Sequence, residues 1–264
     1  MHIDLGTQKI HYKDHGAGEV IVLLHGFMES VFMWESLAKR LSHRFRVLII
    51  DLPGHGKSDE LNDDFSIDHI ANLIQQLIIE LNLKKVNIVG HSLGGYVALS
   101  FVEQFTPLVN SFTLLNSKAS DDSEEVKKKR KLGVQMLKKH PHFVVKESIT
   151  NLFRAKTRNN FLTEISDLVE EGQKGSYNGY THALIAMMNR PDRSSLLKKE
   201  VAKLYIAGKY DPVIPFELSE KEMLSIRIGE YKTLNDSGHM SFIEEKELCE
   251  NIIEEYLVRQ TRHQ

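Results

Sequence analysis

Short, unbroken apolar runs recur along this chain, and segments with helical spacing separate them. Val20-Ile21-Val22-Leu23-Leu24 is the first, and Arg46-Val47-Leu48-Ile49-Ile50, Val86-Asn87-Ile88-Val89 and Lys203-Leu204-Tyr205-Ile206-Ala207 have the same form. A strand covered by helices on both faces has no polar side, so its sequence stays apolar instead of alternating. Between the runs, Trp34, Leu37, Ala38 and Leu41 predict a helix over about 32–41. Ile67, Ile70, Ile74, Leu77, Ile78 and Leu81 predict another from Ser66, its N-cap, to Leu81. Further strands are expected at Lys9 to His15, Ser111 to Leu115 and Glu230 to Leu234, and helices at Phe216 to Leu224 and Phe242 to about Val258. Such alternation implies an α/β fold, a mostly parallel sheet wrapped on both sides by helices.

The alternation stops after Asn116. From Lys118 to Leu197 the sequence is polar, strongly charged and helix-favouring, with no convincing strand. Residues 1–117 and 198–264 are therefore expected to form one core domain, and 118–197 a helical insertion over the carboxyl edge of its sheet. The basic run Lys127-Lys128-Lys129-Arg130-Lys131 fits either a nucleic-acid patch or the solvated face of an amphipathic helix. Glu124 and Glu125, at ion-pairing distance along a helix, favour the second, with Leu132, Val134, Met136 and Leu137 as the buried side. Net charge is −2, so no global field draws the chain to nucleic acid or an anionic membrane. Cys249 is the single cysteine, which excludes an internal disulfide and a cysteine-based zinc site. The first residues are not expected to form a signal peptide, and no apolar run approaches the ~18 residues needed to span a bilayer. A cytoplasmic location is expected; oligomeric state is open.

Chemistry enters at Gly90-His91-Ser92-Leu93-Gly94. The pentapeptide lies between the strand at Val86 and an apolar helix that starts near Gly94. A serine there sits on a turn so tight that only small residues fit two positions away on either side. Such a turn pushes the hydroxyl out of the sheet as a nucleophile.

A serine hydroxyl needs a base to take its proton, and the base needs a carboxylate to hold it. In a parallel sheet all three must project from the carboxyl ends of strands. Asp211 follows the strand ending at Ala207, and His239 follows the strand ending near Leu234. A rival acid, Asp236, lies three residues from His239 and reads as a brace for that loop. The oxyanion needs N–H donors. Leu93 supplies one at the start of the helix, and Phe27, freed by Gly26 in the loop after the first parallel strand, supplies the second. His25 reads as bracing the same loop.

Together, His25-Gly26-Phe27, Asp51-Leu52-Pro53-Gly54-His55-Gly56-Lys57-Ser58, Gly90-His91-Ser92-Leu93-Gly94-Gly95, Asp211 and His239 resemble the α/β-hydrolase fold family. The resemblance covers nearly the whole chain outside the insertion. It implies a sheet of about eight strands with the second antiparallel, and a helical cap over the active site in place of 118–197. It also implies that Asp51 to Ser58 is a structural turn without chemistry. Serine rather than aspartate at the elbow argues against the haloalkane dehalogenases and epoxide hydrolases. Some relatives place the acid after the strand that precedes the cap; here that strand ends in Asn116-Ser117, which leaves the role to Asp211. Met136, Met187 and Met188 fit either an apolar acyl pocket or the core of the insertion. The expected activity is hydrolysis of a small ester or lactone without metal or organic cofactor. Cleavage of a carbon–carbon bond in a β-diketone-like substrate, and a slow hydrolase-like receptor, are the alternatives.

Overall fold

The structure is a computed structural model that describes residues 1–6, 8–60 and 65–261. Eight strands form one sheet: β1 (His2–Leu5), β2 (Gln8–His15), β3 (Val20–Leu24), β4 (Arg46–Ile50), β5 (Val86–His91), β6 (Val109–Leu115), β7 (Ala202–Gly208) and β8 (Glu230–Leu234). Their spatial order is β1-β2-β4-β3-β5-β6-β7-β8. β1 and β2 pair antiparallel, β2 pairs antiparallel with β4, and every pairing from β4 to β8 is parallel. The central strands explain their own sequences. Every residue of β3 and of β5 is buried, so neither strand has a solvent-facing side, and the two polar side chains of β5, Asn87 and His91, are hydrogen-bonded internally.

Helices α1 (Glu35–Leu41), α2 (Ile67–Glu80) and α3 (Leu93–Phe105) follow β3, β4 and β5 in turn. A single 3-10 turn, Val31–Trp34, capped by the Ser30 hydroxyl, leads into α1. Ser66 caps α2 by accepting the His69 N–H at 3.0 Å, as its sequence predicts.

Between β6 and β7 lie α4 (Glu124–Lys139), α5 (Pro141–Thr150), α6 (Leu162–Lys174) and α7 (Tyr177–Asn189), and no strand. They share a buried set that includes Leu137, Val145, Ile149, Leu168, Tyr180 and Leu184. The basic run does lie on a helix, α4, but its faces differ from expectation. Leu132 is 58% exposed, whereas Arg130 falls on the inward stripe with Val126, Val134 and Leu137. Positions 126, 130, 134 and 137 recur at helical spacing; position 132 is rotated away from all of them.

After β7, α8 (Phe216–Met223) precedes β8, and α9 (Ser241–Glu244) and α10 (Lys246–Thr261) close the described chain. The expected single C-terminal helix is thus broken, at Glu245 (φ −129°, ψ 50°). The Glu244 carboxylate accepts the Gly238 N–H, and the Glu245 carboxylate accepts the Asp236 N–H. Neighbouring side chains on a continuous helix diverge by about 100°, so the break lets both reach one loop. No helix among the described residues is long and apolar enough to cross a membrane.

Candidate active site

Ser92 has φ 48° and ψ −113°, a conformation that ordinary L-residues avoid. Packing enforces it. A Cβ on Gly90 would collide with the backbone of Gly94 and Gly95, and a Cβ on Gly94 with the backbone of Leu24 and His25. The Ser92 N–H donates to the Leu115 carbonyl at 3.1 Å, and the Ser117 hydroxyl donates to the Ser92 carbonyl at 2.8 Å. The main chain is held on both sides, and the hydroxyl has no hydrogen-bond partner among the described residues.

Asp211 and His239 come from the loops after β7 and β8 and meet: His239 Nδ1 lies 2.7 Å from Asp211 Oδ2. Both side chains are about 2–3% exposed. Asp211 also accepts the N–H groups of Val213 and Ile214 on Oδ1, and Asn116 Nδ2 on Oδ2. A carboxylate with four donors can only accept, so it fixes the proton on Nδ1 and leaves Nε2 as the basic nitrogen. Asn116, where some relatives carry the acid, here braces it. Asp236 does not touch His239; its carboxylate is exposed and pairs with Arg154 at 2.9 Å.

Ser92 and His239 line the same small cavity, about 80 Å³, together with Phe27, Tyr96, Arg130 and Met187. Met136 and Met188 do not line it. Catalytic hydrogen bonds are often long before substrate binds, and Ser92 and His239 make none to each other here. A larger cavity of about 220 Å³, lined by Trp34 of the 3-10 turn, Leu37 of α1, and Cys249 and Ile253 of α10, includes neither residue.

The N–H groups of Phe27 and Leu93 have no acceptor among the described residues. Leu93 is the first residue of α3, where helical N–H groups have no partner within the helix. The loop of Phe27 is braced by His25, whose Nδ1 lies 2.7 Å from the Gly26 carbonyl and whose Nε2 accepts the Leu52 N–H at 2.9 Å. Burial holds the His25 imidazole below its usual range, which suits that acceptor role. Asp51 accepts the N–H groups of Val31 and Lys57, a purely structural duty.

Two residues that sequence reasoning passed over complete the site. His91 is fully buried, with Nδ1 3.0 Å from the Glu29 carboxylate and Nε2 3.0 Å from the His239 carbonyl. Both oxygens accept, so the ring must donate from both nitrogens and is an imidazolium. Burial alone would push His91 down, but the Glu29 carboxylate and the two hydrogen bonds outweigh it and raise it. Burial likewise opposes the Glu29 charge, and His91 overrides it and lowers the carboxyl. Glu29 also accepts the Gly26 N–H at 2.6 Å. One buried ion pair therefore ties the Phe27 loop, the elbow and the His239 loop together. A glutamate three residues after Gly26 and a histidine before Ser92 were the available signals.

A protein of Mycobacterium tuberculosis is 40% identical over 102 residues, a match spanning 39% of this chain and only 30% of that protein. The 2-hydroxy-6-oxononadienedioate/2-hydroxy-6-oxononatrienedioate hydrolase 1 of Pseudomonas putida is 26% identical over 266 residues, covering 94% of this chain and 91% of its own. A thermophilic esterase from Thermogutta terrifontis superposes with a TM-score of 0.90 at 26% identity, over 96% of this chain and 94% of its own. The sequence profile of the alpha/beta hydrolase fold matches residues 19–246. That match spans most of the chain and, with the sheet order and its flanking helices, establishes that the chain belongs to the α/β-hydrolase fold family.

Proposed function

We propose that this chain is a serine hydrolase that cleaves a small carboxylic ester or lactone through an acyl-enzyme intermediate. The observation that carries the reading is the 2.7 Å contact of Asp211 with His239, on the cavity that Ser92 also lines. The esterase likeness over nearly the full chain supports it.

In this mechanism His239 Nε2 removes the proton as Ser92 Oγ attacks the substrate carbonyl. The oxyanion is held by the N–H groups of Phe27 and Leu93, where the loss of one donor costs on the order of 3 kcal/mol of barrier. Asp211 stabilises the imidazolium. As the tetrahedral intermediate collapses, His239 gives its proton to the departing alkoxide, leaving the acyl group on Ser92. Water, deprotonated by His239, attacks that acyl group, and the serine leaves with the same proton. Residues 118–197 act as a cap: Arg130, Ile149, Leu152 and Met187 roof the cavity, and a space of about 80 Å³ favours short acyl groups.

Ser92→Ala tests the reading. Turnover of p-nitrophenyl acetate is expected to fall by about 10⁴-fold or more, with far-UV circular dichroism unchanged; a variant retaining activity refutes it. The likeness to the Pseudomonas putida hydrolase supports a second reading, carbon–carbon cleavage with the same residues. Parallel turnover of a vinylogous 1,5-diketone and of simple esters separates the two.

A further inference from the structure

Resting on the ester or lactone reading, the charges around the cavity point to a class of substrate. Asp122 is a buried carboxylate, fully occluded, at the entry to α4. Arg130 Nε lies 2.5 Å from it, Arg190 Nη1 2.9 Å and Lys118 Nζ 3.5 Å. Three cations share one anion. Burial and the adjacent Arg190 push the Lys118 ammonium down, as a local excess of positive charge requires. Arg190 is committed elsewhere, with its guanidinium 3.8 Å from the Tyr96 ring and a hydrogen bond to the Met187 carbonyl. Lys118 donates to the Asp121 carbonyl.

Arg130 alone of the three lines the cavity with Ser92 and His239. A guanidinium carries five N–H donors. Asp122 takes the one on Nε, and the Met187 sulfur, 3.3 Å from Nη1, takes a second. Nη2 has no partner among the described residues. Among the described residues the only carboxylate on the cavity wall, Glu29, is already neutralised by His91. A guanidinium held rigid by Asp122, with free donors in a confined space and no anion opposite, is arranged to receive one.

We propose that Arg130 selects substrates carrying a carboxylate in addition to the scissile ester or lactone. The anion docks against Nη2 and the remaining Nη1 hydrogen beneath α4, while the reacting carbonyl lies at Ser92. No bond is made or broken at Arg130; it is a specificity residue.

The test measures kcat/KM for monomethyl esters of dicarboxylic acids, from malonate to adipate, and for acetyl esters of short hydroxy acids. Each is paired with the neutral ester in which methyl replaces the carboxylate. For at least one length the wild-type protein is expected to favour the charged ester by about tenfold or more, and Arg130→Gln to lose that preference. Arg130→Lys, which keeps the charge but not the fork, should fall between them. Preference for the neutral ester at every length overturns the proposal, and so does an equal preference in wild type and Arg130→Gln. Should Arg130→Gln fail to fold, the wild-type preference still decides. Calorimetric binding of glutarate and succinate is read in parallel without turnover. If no ester at all is hydrolysed, the parent reading fails, and binding to wild type but not to Arg130→Gln still upholds the anion site; equal or absent binding rejects it.

Discussion

At the residue scale, the Glu29–His91 pair is the largest departure from what the motifs alone express. Each residue sits inside a recognisable segment, but they lie 62 positions apart and act only in the folded chain. Removing one partner of a buried pair strands the other charge, and typically costs about 3–5 kcal/mol. His91→Gln and Glu29→Gln should each lower the unfolding temperature, and a double-mutant cycle should recover a coupling between them. The pH dependence has a definite sign. The raised His91 stabilises fully below its ordinary 6.5 and loses that contribution as pH rises through its higher folded value. The lowered Glu29 stabilises above its ordinary 4.5 and loses its contribution as pH falls through its lower folded value. The gap in unfolding temperature between wild type and His91→Gln should therefore be widest between pH 4.5 and 6.5. A gap independent of pH would show that the pair is not charged.

At the element scale, legibility followed burial. Strands β3 and β4 were readable because burial on both faces leaves almost only apolar residues, and the elbow because Gly90 and Gly94 have no alternative. α4 was harder: its inward stripe includes an arginine, so hydropathy misassigns Leu132 and Arg130. The break at Glu245 was unreadable, since contacts of Glu244 and Glu245 with a preceding loop cause it, not local propensity. Two glycine substitutions separate the kinds of constraint. Gly94→Ala places a methyl against the Leu24 backbone, which cannot yield, and should lower both activity and stability. Gly133→Ala, inside α4, meets only the end of the flexible Leu184 side chain at 3.3 Å. There alanine gains up to about 1 kcal/mol of helix propensity, a rise of about 2–4 °C for a chain of this size. Thermal unfolding of both variants checks the contrast, and a stabilising Gly94→Ala would refute the account of the elbow.

At the scale of the whole molecule, strand order could not be read from spacing, because nothing in a strand's sequence names its neighbour. The loops that β7 and β8 deliver are also fastened to the insertion, a contact between distant segments with no local signature. The His239 N–H donates to the Leu152 carbonyl, and the Arg154 N–H shares the Glu244 carboxylate with Gly238. The Arg154 side chain spans both loops: its guanidinium lies 3.7 Å from the Tyr210 ring, beside Asp211, and Nη1 donates to Asp236, in the His239 loop. The insertion thus sends two arginines to the site with separable effects. Arg130 faces the cavity and bears on which substrate is taken; Arg154 faces the loops and bears on how firmly Asp211 and His239 are held together. A partly exposed cation–π contact and ion pair are each worth about 1 kcal/mol or less. Arg154→Ala should therefore lower kcat by roughly tenfold, by a similar factor for charged and neutral esters, with little change in KM. Steady-state kinetics on the ester pairs used for Arg130 provide the measurement. An Arg154→Ala defect confined to KM, or to one class of ester, would place Arg154 with the substrate and not with the catalytic loops.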